Sequence, residues 1–280
     1  GGRPAGHKKA AWLLVACLLA LLVAGALQSC RRKDGLTPEK KTAVVKIGFD
    51  SFEPYSSVDE NGNYVGIDIE LATEAFNRMG YQAEFQMIPW EEKARLLADG
   101  SLDCLWSCFT MTGRENDYEW AGPYLYSRQV VAVRSDSQIY ALKDLEGKRA
   151  AVQATTRASG VLLHEIASPV PQLKQVNCFS TTEELFAALR KGYVDAIAGH
   201  EAMITAFVKG GNGNYRLLEE SLYVSELGVA FEKGTHRELA ERLTETLKAM
   251  EADGTIARIA EKYGLDAAKV VSKGAQKREN

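Results

Sequence analysis

The 280-residue sequence has little cysteine and little histidine, five and four residues, and holds a single long apolar run. So few cysteines exclude a small disulfide-stapled scaffold, and a chain of this length buries a core that needs no staples. His7, His164, His200 and His236 show no metal-ligand spacing, so neither a metal nor another cofactor is expected. The net charge is only −3, which supplies no electrostatic ground for binding nucleic acid. One apolar run excludes a protein that crosses a membrane many times.

That run, residues 10–26, follows His7, Lys8 and Lys9 and leads to Leu27-Gln28-Ser29-Cys30. A basic head, an apolar segment and small residues before a break point are the parts of an export signal. A cysteine after Leu-x-Ser resembles a lipoprotein processing site, which makes residues 1–30 the expected signal peptide and Cys30 the expected lipid anchor. An uncleaved membrane helix is the alternative. Residues 31–42 are charged, carry Thr37-Pro38 and read as a flexible tether. Cys104 and Cys108 lie on one expected strand, too far apart along it to bridge, and are expected as free buried thiols with Cys178 apart from both.

Beyond the tether the pattern alternates. Residues 44–49 read as a strand, and Asp68 as the N-cap of a helix whose apolar face is Ile69, Ala72, Phe76 and Met79, stopped at Gly80. A strand over 83–88, a helix over 90–99 and a strand over 103–108 follow. Later, strands are expected at 126–133, 149–153 and 194–199 with a helix at 183–191, and residues 217–228 recross. Repeated strand-helix-strand units predict an α/β fold of doubly wound lobes. The stretch Leu97 to Leu105 is echoed by Leu189 to Ile197: in each a helix ends at Gly and a buried strand starts with Asp. The expected division is residues 43–131 with 226–280 as lobe 1 and 132–225 as lobe 2, joined by two hinge strands around a cleft.

Residues 102–129 gather chemistry at a strand end. Ser107, Thr110, Thr112 and Arg114 follow the apolar run, and in open α/β sheets ligands bind where strands end at their carboxyl side. A guanidinium fork beside hydroxyls and free N–H groups matches a carboxylate; a surface arginine in a polar loop is the competing interpretation.

This stretch, together with the run Gly66-Ile67-Asp68-Ile69-Glu70-Leu71-Ala72, resembles the extracytoplasmic solute-binding proteins that capture polar amino acids for ATP-driven importers, family 3, of the periplasmic binding protein type II fold. The resemblance covers nearly the whole mature chain. It implies that Ser107 or Cys108, Thr110 and Arg114 hold a ligand α-carboxylate, with Thr155 and Thr156 at the following helix start. Backbone N–H groups at a helix start attract anions, and a plain Thr cap is the alternative there. Phe52 and Trp90 match positions that sandwich a ligand side chain, and Asp50 one that meets cationic side chains in some relatives. Three departures stand out. The loop to Arg114 is one residue short, Ala154 replaces a Gly, and His200 stands where the family carries the Asp that pairs with the α-ammonium. Either Glu201 or another carboxylate supplies the missing charge, or the ligand is no ordinary α-amino acid, or His200 caps the next helix.

The resemblance implies a lipid-anchored, monomeric receptor outside the cytoplasm, with an ABC permease as membrane partner. Two other classes stay in view: a cyclohexadienyl-dehydratase-like enzyme, with Glu201, His200 and Glu92 as acid–base candidates, and an extracytoplasmic sensor domain.

Overall fold

The computed structural model describes residues 43–271. Its first half runs β1 (Ala43–Phe49), a small hairpin of β2 (Ser57–Val58) and β3 (Tyr64–Val65), α1 (Ile67–Arg78), β4 (Tyr81–Met87), a 3-10 turn (Trp90–Glu92), α2 (Lys93–Ala98) and β5 (Cys104–Leu105). The long β6 (Glu119–Arg134) leads to β7 (Arg149–Gln153), α3 (Arg157–Leu162), β8 (Gln175–Phe179), α4 (Thr182–Arg190), β9 (Ala196–His200) and α5 (Glu201–Gly210). Then β10 (Tyr215–Phe231) returns, and α6 (Arg237–Ala252), α7 (Thr255–Lys262) and α8 (Ala267–Val270) follow.

Eight strands form one mixed sheet in the order β4-β1-β5-β10-β6-β9-β7-β8. Each flank repeats one topology. In the first, β1 lies between β4 and β5, all parallel; in the second, β7 lies between β8 and β9, all parallel. Between the flanks β6 and β10 pair antiparallel from Arg134 opposite Tyr215 to Glu119 opposite Phe231, so both halves hang on one two-stranded ribbon.

The sequence echo has a geometric cause. Asp103 clamps β1, its N–H donating to the Lys46 carbonyl at 2.9 Å and its carboxylate accepting the Lys46 N–H at 2.7 Å. Asp195 does the same to Arg149 on β7, at 2.8 Å and 2.9 Å. Gly100 and Gly192, which end the preceding helices, hold φ of 75° and 70°, a region costly to any residue with a Cβ.

Apolar faces fill the layers between sheet and helices. Ile47, Phe76, Trp106, Phe231 and Leu243 belong to one cluster, and Val131, Leu145, Val152 and Leu162 to another in the second half. On α6 the buried side is Ala240, Leu243, Leu247 and Met250.

Three expectations need correction. The helix expected to begin behind an Asp68 cap begins at Ile67, with Gly66 at its N-cap and no side-chain cap bond. Asp68 is fully buried, and its Oδ2 accepts the Cys108 N–H at 2.5 Å. The strand expected over 103–108 is only Cys104–Leu105, because the chain turns at Cys108, φ 47°, before Thr110 bridges Leu227 on β10. The helix expected from residue 90 opens as a 3-10 turn and becomes α-helical at Lys93.

Cys104 and Cys108 are buried free thiols and Cys178 is an exposed one. Among the described residues no helix is long and apolar enough to cross a membrane. The expected signal segment, tether and Cys30 lie outside the described residues.

Candidate functional site

The carboxyl ends of β1, β5, β7 and β9 converge on one small cleft. Asp50 follows β1, Ser107 to Thr110 follow β5, Gln153 ends β7, and His200 ends β9. Gln129 reaches it from β6. Of the residues singled out in the sequence, Asp50, Phe52, Trp90, Ser107, Cys108, Thr110, Arg114, Thr156 and His200 line this space.

The β5 loop is held from behind. Asp68 fixes the Cys108 turn, and burial pushes its carboxyl up to about 7. Ser107 Oγ accepts the Asp50 N–H at 3.1 Å, and Thr110 Oγ1 hydrogen-bonds Ser225 Oγ on β10 at 3.2 Å.

Arg114 is fixed by protein carbonyls rather than by carboxylates. Its Nη1 donates to the Thr110 carbonyl at 3.4 Å and its Nη2 to the Thr155 carbonyl at 3.3 Å, with the Phe109 ring 5.2 Å away. No carboxylate lies within ion-pair distance of it among the described residues. Burial lowers its pKa from the ordinary arginine value, yet a guanidinium keeps its charge. A positioned, unneutralised guanidinium is suited to a bidentate anion.

Thr155 itself is largely exposed, with φ 56°, and stands beside the cleft. Its hydroxyl accepts from Lys93 Nζ at 2.8 Å. The Lys93 amine also donates to the Trp90 carbonyl at 3.2 Å and lies 4.9 Å from the Trp90 ring. Burial, and then the Arg114 charge, lower its pKa to about 8. Thr156 caps α3, accepting the Ser159 N–H at 3.2 Å and donating to the Gln153 carbonyl at 2.8 Å.

His200 and Glu201 part company. The strand ends at His200 and Glu201 opens α5, where it pairs through both oxygens with Arg128, its Oε2 accepting from Nε at 3.0 Å and its Oε1 from Nη2 at 2.5 Å. It lines a different cavity with Tyr55 and Tyr263, away from Arg114. His200 occupies the N-cap position of α5, but its side chain makes no cap bond. Its Nδ1 lies 2.8 Å from Gln129 Nε2 and 3.1 Å from Ser127 Oγ, and its ring meets Phe52 edge-on at 5.6 Å. Burial, helped by the Arg114 charge, lowers its pKa to about 3, so the ring is neutral.

Sequence reasoning overlooked Lys93, Phe109, Gln129, Gln153 and Arg157. Gln153 was open to notice, since it is the one amide ending the apolar strand Arg149–Gln153. Among the described residues no cluster of three or more metal-ligating side chains occurs.

Residues 45–266 match the family model of bacterial extracellular solute-binding proteins, family 3. The chain is 26% identical over 270 residues to the L-cystine-binding protein TcyA of Bacillus subtilis (strain 168), covering 92% of this chain and 98% of that one. An ancestral arginine-binding protein solved with arginine superposes with a TM-score of 0.71 at 29% identity, over 80% of this chain and 99% of the other. An ancestral amino acid-binding protein described as a precursor of cyclohexadienyl dehydratase reaches 0.71 at 25% identity, over 79% and 95%. On the strength of the matched span, this chain belongs to family 3 of the bacterial extracellular solute-binding proteins.

Proposed function

We propose that this chain is the substrate-binding protein of an ABC importer, capturing a polar amino acid between two closing lobes and handing it to a membrane permease. The observation that carries the reading is Arg114: a guanidinium held by two carbonyls, facing no protein carboxylate, in a cleft between the halves of the sheet. The ligand α-carboxylate supplies the missing anion, with Ser107, Thr110 and the N–H groups beside them completing its shell. Trp90 and Phe52 flank the rest of the ligand.

Residues 43–131 with 226–280 form one lobe in this reading, residues 132–225 the other, and the β6–β10 ribbon is the hinge. The ligand touches both lobes only in the closed form, so its binding energy shifts the population toward the form that the permease recognises. Cys30 carries the lipid anchor, and the receptor works as a monomer outside the cytoplasm.

Catalysis is the weaker reading. Glu201 is committed to Arg128, Glu92 pairs with Arg95 on the surface, and His200 is a neutral ring already bonded at Nδ1. Neither Glu201 nor Glu92 lines the cleft that holds Arg114, and the neutral His200 ring has only an N–H left to offer there.

The test is thermal unfolding of the full-length protein against the common amino acids one at a time, with prephenate as the enzyme control. Ligand at roughly 100-fold excess over Kd stabilises by about 2.7 kcal/mol, several degrees of melting shift. A shift with one or a few amino acids supports the receptor; turnover of prephenate instead favours the enzyme.

A further inference from the structure

An ammonium bound inside a cleft needs an anion or well-placed acceptors to replace its water. Among the described residues the only carboxylate lining this cleft is Asp50, and each of its oxygens already accepts a hydrogen bond at 2.8 Å, Oδ1 from the Ser51 N–H and Oδ2 from Gln153 Nε2. Against it, among the described residues, stand the lining guanidiniums of Arg114 and Arg157, neither within ion-pair distance of a carboxylate, with the buried Lys93 amine beside the cleft on Thr155. The cleft is net cationic.

His200 lines the same cleft as Arg114, and its hydrogen bonds decide what it offers. An amide N–H donates, so the short contact to Gln129 Nε2 makes Nδ1 the acceptor and leaves the proton on Nε2. The same Gln129 amide donates to Ser225 Oγ at 3.0 Å, which ties the ring to both long strands. What His200 has left for a ligand is therefore an N–H donor. A donor meets an oxygen; it repels an ammonium.

We propose that the ligand class of this cleft is defined by a carboxylate and a second oxygen on the adjacent carbon. It takes 2-hydroxy and 2-oxo acids, and prefers α-amino acids over their 2-hydroxy counterparts by no more than about tenfold. The inference rests on the receptor reading above, in which Arg114 holds the carboxylate.

The experiment is calorimetric titration of the full-length protein with the common amino acids, each paired with the 2-hydroxy and 2-oxo acid of the same side chain. The expected result is a 2-hydroxy or 2-oxo acid that binds within about tenfold of its amino acid, or more tightly. In His200→Asp the order reverses in favour of the amino acid by at least about tenfold, the modest end for a buried charge pair. Should that variant fail to fold, the wild-type comparison decides alone. A wild-type preference for the amino acid beyond tenfold overturns the inference and leaves the receptor reading standing. Binding by none of the three series overturns both.

Discussion

Gln153 donates its side-chain amide to the Asp50 carboxylate at 2.8 Å, joining the carboxyl ends of β7 and β1, the middle strands of the two flanks. The two positions are equivalent in the repeat, and the bond crosses the cleft. A contact that exists only when the halves are close favours the closed form. Gln153→Ala should therefore weaken ligand binding by up to about tenfold, the scale of one hydrogen bond to a charged group. Calorimetry measures this directly, and an unchanged affinity would show that the bond does not bias closure.

The neutrality of His200 has a pH signature. Its pKa is lowered from 6.5 to about 3, so between those values the unfolded chain binds a proton that the folded chain refuses. Stability is then lost as pH falls through that window, at up to about 1.4 kcal/mol per pH unit. In His200→Gln this loss should vanish. Urea unfolding of both proteins from about pH 7 to pH 5 reads the difference, and parallel pH profiles would mean that the folded ring protonates normally.

Gly66 is irreplaceable for a steric reason. It sits at φ 128°, and a Cβ there would lie 2.3 Å from the Tyr55 carbonyl oxygen. Gly66→Ala should cost at least about 2 kcal/mol of unfolding free energy. It should also loosen the α1 start that holds Asp68 against the Cys108 turn. A variant as stable as the parent in denaturant would contradict this.

Much of the fold was legible because local and global preferences agree. The strand at Arg149–Gln153 coincides with its apolar run, and the Asp103 and Asp195 echo marks two clamps of one kind. Strand alternation separates His200 from Glu201 in the sequence; in the structure they part because β9 ends at His200 and Glu201 opens the next helix. Asp68 was misread as a cap because its partner, the Cys108 N–H, is 40 residues away in the chain and only tertiary folding brings it near. Gln129, Gln153 and Lys93 escaped for the same reason. Each is one polar residue in or beside a mostly apolar element, and its partners come from distant segments. Residue type alone cannot separate such a group from an ordinary solvated side chain.

Arg114 carries the central claim, and calorimetric titration of the wild type and Arg114→Ala with the best ligand from the thermal screen tests it most directly. The side chain makes two long carbonyl contacts and no ion pair, so its removal should change the stability of the ligand-free protein by no more than about 1 kcal/mol. Losing the partner of a buried carboxylate should cost about 2–5 kcal/mol of binding, so no heat of binding is expected at concentrations that saturate the wild type. An Arg114→Ala protein that still binds within about threefold of the wild type would remove this guanidinium from the carboxylate role and contradict the account.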